Sequence, residues 1–259
     1  MIKAIIFDID GTLYESRHFP VKLILADPLH IGLLARERKC RKRLQGKFFE
    51  EKGGYYEALF KAMSSNPEKC RKWFYESYMP CQVDIIRKSM PKREHLKELM
   101  ATLRKQGIKI AVLSDYAMAA EKLSACGLEP SDFDAVWESP DLGGLKPCKE
   151  VFVRACEALG TEPSETLMVG DKLSTDGGAM AIGMQFIHIV NKTVADNGQN
   201  AQVSSSAKSA VGTSVIGPSV IGPSAVGTST AINENAPYRE MIWDELLSYL
   251  TSLPAKDSF

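Results

Sequence analysis

Ile2-Lys3-Ala4-Ile5-Ile6-Phe7-Asp8-Ile9-Asp10-Gly11-Thr12-Leu13 runs from an apolar, β-branched stretch directly into two carboxylates and a turn-forming Asp-Gly pair. Residues 2–7 read as a short buried strand, too brief for a helix and bounded by a turn signal. In open α/β sheets ligands bind beyond the carboxyl ends of the strands, where Asp8 and Asp10 fall. Strand alternation points these two carboxylates to the same side. One can attack a phosphoryl centre and form a covalent aspartyl-phosphate, which divides one hard displacement into two easier ones. The other can give a proton to the leaving oxygen and later take one from water. Taken alone, two acids on a loop more often cap helices or face solvent.

Moving outward, the chain alternates regularly from about residue 92. Leu96, Leu99, Met100 and Leu103 recur at i, i+3, i+4 and i+7 and stop at Gly107, which specifies an amphipathic helix. Ile108–Leu113 reads as a strand, 117–126 as a helix, Asp134–Trp137 as a strand and Lys149–Leu159 as a helix before Gly160. Thr166–Val169 then reads as a strand, followed by a short helix up to Gly183 and a strand over Gln185–Val190. Strands alternating with helices predict an α/β fold, a Rossmann-like doubly wound parallel sheet. The stretch 15–90 is too long for a loop and carries Leu23, Leu33, Leu34, Leu59 and Phe60, so it reads as an α-helical cap inserted after the first strand. The expected division is therefore a catalytic core of 1–14 and 91–259 with a cap of 15–90. Within that core, 193–236 shifts to Ser, Gly, Ala, Val and Thr and contains the tandem pentapeptides AVGTS, VIGPS, VIGPS and AVGTS at 210–229. Four such units are too few for a solenoid, and the segment reads as a linker or surface loop. Residues 238–252 read as a terminal helix through Ile242, Leu246, Leu247 and Leu250.

Composition sets outer limits. The 259 residues are 44% hydrophobic and 25% charged, with a formal net charge of zero, which argues against a surface-wide nucleic-acid field. No run of apolar residues is long enough to span a membrane, and the first seven residues are too short for a signal-peptide core. Six cysteines lacking C-x-x-C or Cys/His spacing suggest reduced thiols and a cytoplasmic protein.

Four motifs in order give the acidic pair its meaning: Asp8-Ile9-Asp10-Gly11-Thr12-Leu13, Leu113-Ser114-Asp115, Gly144-Leu145-Lys146-Pro147 and Val169-Gly170-Asp171 with Asp176 beyond it. On these residues the chain resembles the haloacid dehalogenase superfamily, in its branch of small-cap phosphatases and phosphomutases, over residues 1–13 and about 92–190. The resemblance implies Asp8 as nucleophile, Asp10 as acid and base, and Lys146 as the neutralising cation. It implies Thr12, Ser114, the backbone N–H of Asp115 and Lys146 as the groups that hold the phosphoryl oxygens. It further implies Mg2+ held by Asp8, the Asp10 backbone carbonyl and Asp171, with Asp176 behind the ion or reaching it through water. Such a shell suits magnesium, which prefers oxygen ligands and keeps several waters. Phosphoryl transfer asks mainly for positioning and charge neutralisation, and this residue set supplies both.

The expected reaction is magnesium-dependent hydrolysis of a small phosphomonoester, with no nucleic-acid or membrane partner. A sugar-phosphate mutase would share every motif, and a catalytically idle binding module is the reading from another class. Asp10 with Gly11 and Thr12 argues against dehalogenation, which needs no acid at that position. The run Arg36, Arg38, Lys39, Arg41, Lys42 and Arg43 could meet a second acidic group of the substrate, but is more often the solvated face of a helix. Tyr55, Tyr56, Trp73, Phe74 and Tyr78 read as core of the insertion, and His18, His30, His95 and His188 carry no assigned role.

Overall fold

The computed structural model describes residues 1–51, 53–190 and 238–255. Six strands, β1 (Ala4–Phe7), β2 (Lys109–Ser114), β3 (Ala135–Glu138), β4 (Thr166–Gly170), β5 (Gln185–Ile189) and β6 (Tyr238–Met241), form one sheet. Its order is β3-β2-β1-β4-β5-β6, and every neighbouring pair is parallel. Period-two alternation sorts the side chains of these strands. Ile5, Phe7, Ile110, Val112, Leu167, Val169 and Ile187 enter one apolar cluster. Ala4, Ile6, Ala111, Leu113, Met168 and Phe186 enter another. Strands buried on both faces must be apolar throughout, which is why they read as continuous hydrophobic runs.

The first cluster takes in α6 (Leu96–Lys105), α7 (Ala119–Ala125) and α9 (Trp243–Thr251), and the second takes in α8 (Lys149–Leu159). In α6 the residues at helical spacing, Leu96, Leu99, Met100 and Leu103, are the buried ones. Each such side chain contributes about 1.5–3 kcal/mol by leaving water. Helices on both sheet faces make the architecture doubly wound, and the order of strands reverses between β1 and β4. Open sheets of this kind leave a crevice at that reversal, beyond the strands' carboxyl ends.

Between β1 and α6 lie α1 (Phe19–Ala26), α2 (Ile31–Leu44), α3 (Gly54–Met63), α4 (Pro67–Trp73) and α5 (Met79–Ser89), with a π-helical turn over Phe74–Tyr78 joining the last two. Tyr55, Tyr56, Trp73, Phe74 and Tyr78 are buried there, Trp73 and Tyr78 being stacked at 4.8 Å. The segment after α2 folds onto the loop that precedes α8. Phe49 N–H donates to the Gly143 carbonyl at 2.6 Å, and Phe48 bridges to Gly144.

Two readings of the sequence change. Residues 238–252 are not one helix: Tyr238–Met241 adds the edge strand β6, and α9 starts only at Trp243. The element before Gly183 is a 3-10 helix over Asp176–Ile182. The pentapeptides at 210–229 lie outside the described residues.

Candidate active site

Asp8 follows the last residue of β1, and its N–H donates to the Val169 carbonyl of β4 at 2.9 Å, so the sheet itself aims the residue beyond the strand ends. The Lys146 ammonium lies 2.6 Å from Asp8 Oδ1 and 2.6 Å from Asp176 Oδ1. It also donates to the Leu113 carbonyl at 2.9 Å. The lysine is 1% exposed. Burial alone would lower its pKa, but Asp176, Asp8 and Asp115 together hold it well above the usual lysine range, so it is a fixed cation. Its loop is pinned as well, because Lys146 N–H donates to Asp115 Oδ1 at 3.0 Å.

The two acids of the first motif have opposite electrostatics. Burial pushes the Asp8 carboxyl up to about 7, partly countered by Lys146 and reinforced by Asp176 and Asp10. For Asp10 burial acts the same way, but Lys122 outweighs it and keeps the carboxyl below its usual range. Lys122, fully buried in α7, donates to Asp10 Oδ1 at 2.9 Å and to Oδ2 at 2.8 Å. Tyr14 OH donates to Asp10 Oδ1 at 2.6 Å. Neither Lys122 nor Tyr14 belongs to a motif quoted above. A signal was present for the lysine: Ala119, Lys122, Leu123 and Cys126 share one helix face, and a lysine on an apolar stripe needs a buried anion.

Asp8, Asp171 and Asp176 each offer a carboxylate oxygen, all within 4.8 Å of one another. Burial first, and the Asp8 charge next, raise the Asp171 carboxyl to about 6. Asp171 Oδ1 is buried without a hydrogen-bond donor among the described residues, and Lys172 Nζ stands 3.6 Å away. Converging carboxylates that raise one another, with one oxygen left unsatisfied, fit a hard divalent cation such as magnesium, which takes oxygen ligands. The neighbouring glycines make this approach possible. A Cβ on Gly11, whose φ is +97°, would collide with the Asp171 carboxylate, and one on Gly170 would collide with Asp176.

Of the remaining motif residues Asp115 lines the same cavity, whereas Thr12 and Ser114 are buried and do not line it. Thr12 is buried with its hydroxyl lacking a partner among the described residues. Ser114 ends β2, donating to the Tyr116 carbonyl at 3.0 Å and accepting from the Tyr116 N–H at 3.2 Å. Its hydroxyl is engaged in this turn. Asp115 contributes its carboxylate to the Lys146 backbone and its carbonyl to Arg41. His188, which carried no assigned role, donates from Nε2 to the Asp171 carbonyl at 2.9 Å and so braces the Asp171 loop.

The basic run is not a uniformly solvated face. Arg41 is buried: its Nε donates to the fully buried Glu37 at 2.6 Å, its Nη1 to the Asp115 carbonyl at 2.8 Å, and its guanidinium stacks on Tyr116 at 3.9 Å. Arg38, Arg41, Lys42 and Gln45 line one wall of a cavity of about 360 Å³, whose floor contains Asp8, Asp10, Lys146 and Asp171. Helical geometry explains the split, since 38, 41, 42 and 45 share a face from which 36, 39 and 43 point away.

Comparison with known proteins points to one family. A glyceraldehyde 3-phosphate phosphatase of Methanopyrus kandleri is 30% identical over 204 residues, covering 73% of this chain and 84% of the relative. An N-acylneuraminate-9-phosphatase of Rattus norvegicus is 32% identical over 107 residues, covering 40% of this chain and 42% of the relative. Among solved structures, a phosphatase of the haloacid dehalogenase type from Thermococcus onnurineus matches with a TM-score of 0.51 and 25% identity, covering 77% of this chain and 90% of that one. The family model described as haloacid dehalogenase-like hydrolase matches residues 2–182. With that match spanning most of its length, the chain belongs to the haloacid dehalogenase-like hydrolases.

Proposed function

We propose that this hydrolase is a magnesium-dependent phosphatase of small phosphomonoesters that works through an aspartyl-phosphate on Asp8. The observation that carries the reading is the Lys146 ammonium held 2.6 Å from both Asp8 and Asp176, beside the unsatisfied oxygen of Asp171. Phosphatase names among the relatives support the same reaction class, and the small esters in those names support a small substrate.

In this reading the Asp8 carboxylate attacks phosphorus, the ester oxygen leaves with a proton from Asp10, and a phosphoryl group remains on Asp8. Asp10 then takes a proton from water as the water oxygen attacks phosphorus, which restores Asp8 and releases phosphate. Lys146 offsets the charge on the phosphoryl oxygens, and Thr12 and the Asp115 N–H hold them, joined by Ser114 once its hydroxyl turns from the Tyr116 carbonyl. Asp8, the Asp10 carbonyl and Asp171 would hold magnesium, with Asp176 behind it. When bound, the ion supplies the positive charge that lets one anion approach another. Residues 15–90 act as a cap on a core of 1–14 and 91–259, excluding bulk water and selecting the substrate. Six cysteines without a disulfide are in keeping with a cytoplasmic site of action, and no helix among the described residues is long and apolar enough to cross a membrane.

The test is phosphate release from a panel of phosphomonoesters, with magnesium and with excess chelator. Release that requires the metal supports the reading, and no release from any ester overturns it.

A further inference from the structure

We propose that the substrate carries, besides its phosphomonoester, a second anionic group that sits on Arg38 and Lys42 of α2. The inference rests on the phosphatase reading and deepens it by naming the class of substrate.

Most charges in and around the cavity already have partners. Lys146 is committed to Asp8 and Asp176, and Lys122 to Asp10. Arg41 is committed to Glu37 and the Asp115 carbonyl. The carboxylate of Asp115 is held by the Lys146 N–H, and Lys172 faces Asp171. Arg38 and Lys42 are different. Both are exposed, both line the cavity, and neither takes part in an ion pair or hydrogen bond among the described residues.

The two are four positions apart on one helix face, where like charges repel. An anion seated between them removes that repulsion and gains charge-assisted hydrogen bonds from both. Behind them the row is rigid. Arg41, between the two in sequence, is clamped on Tyr116, and Gln45 Nε2 donates to the Lys146 carbonyl at 3.2 Å. This last bond ties the end of α2 to the loop that carries the active-site lysine. Arg41 Nη2 is buried and has no partner among the described residues, so the wall offers a further donor at its inner end. A cavity of about 360 Å³ holds the phosphoryl group at Asp8 and a short carbon skeleton reaching this wall.

A carboxylate or a second phosphate satisfies this chemistry, and the experiment separates them. Full-length protein is assayed with magnesium on two matched pairs: phosphoglycolate against ethyl phosphate, and a hexose bisphosphate against the hexose monophosphate. The same assays are run on Arg38→Gln/Lys42→Gln and on Lys39→Gln/Arg43→Gln, which removes equal charge from the sides of α2 that face away from the cavity. Wild type is expected to prefer the acidic member of at least one pair by about tenfold to a hundredfold in kcat/KM. The pair that shows it identifies the anion. Arg38→Gln/Lys42→Gln is expected to lose most of that preference, chiefly through KM, while the outer double variant keeps it. Equal losses on acidic and neutral esters, or no acidic preference in wild type, would overturn the proposal. Absence of turnover on every ester in wild type is a separate result, which removes the phosphatase reading and this proposal with it.

Discussion

Lys122 Nζ stands 2.9 and 2.8 Å from the two carboxylate oxygens of Asp10, so the residue assigned to proton transfer is gripped at both oxygens by a fully buried cation. The grip keeps Asp10 ionised and fixes its direction. A proton on Asp10 must therefore come with the approach of a substrate oxygen or a loosening of this pair. Lys122→Met removes the nearby cation, so the charged form of Asp10 loses support and its pKa rises. The limb of the pH–rate profile governed by Asp10 is expected to move to higher pH. Stability should fall by about 3 kcal/mol, because a largely buried carboxylate loses its partner. An unchanged limb would show that Asp10 does not set the profile.

Proton donation matters in proportion to how poor the leaving group is. Asp10→Asn is expected to slow hydrolysis of alkyl phosphates by about a hundredfold or more. Hydrolysis of p-nitrophenyl phosphate, whose leaving oxygen needs little help, should slow much less in the same variant. Equal losses on both esters would remove the acid role and leave Asp10 a purely positional one.

Asp8 and Asp171 are raised to about 7 and about 6, above the usual carboxylate values near 4. The sign follows from proton binding. Between about pH 4 and pH 7 the metal-free folded protein holds protons that the unfolded chain has released, so these groups make stability fall as pH rises and level off above the window. A cation competes with those protons, so magnesium should raise Tm more at about pH 8 than at about pH 5. Thermal melts with and without magnesium at the two pH values check this, and an equal rise at both would contradict it.

Gly11 faces the Asp171 carboxylate with no room for a Cβ, at a φ of +97° that side chains rarely adopt. Gly11→Ala is expected to cost about 1–3 kcal/mol of stability through backbone strain. Displacement of Asp171 should also weaken magnesium activation, read as a higher magnesium concentration at half-maximal rate. A variant that melts earlier but keeps wild-type metal dependence would mean that the contact serves packing only.

Much of the fold was legible because both sheet faces are covered: strands such as β1 and β4 read as unbroken apolar runs, and α6 and α8 as clean helical stripes. The edge strand β6 was not, since Tyr-Arg-Glu-Met at the rim of a sheet lacks the apolar run that buried strands show. The motif residues Asp8, Asp10, Lys146, Asp171 and Asp176 line one cavity, a grouping that the resemblance of the four motifs implied and that no single motif carried. What could not be read was partnership. Lys122 reaches Asp10 across 112 positions, and Arg41 reaches the Asp115 carbonyl across 74. In both cases a charged residue occupied a helix position reserved for core, with the Glu37–Arg41 pair filling α2 between Leu34 and Leu44.

In the proposed mechanism Asp8 accepts the phosphoryl group. The most direct measurement is rapid acid quench of the enzyme during turnover, followed by peptide mass analysis of residues around Asp8. A mass increase of one phosphoryl group on the peptide containing Asp8, absent in Asp8→Asn, is the predicted result. Turnover that proceeds with no phosphorylated Asp8 peptide at any quench time, or that survives in Asp8→Asn, would contradict the account.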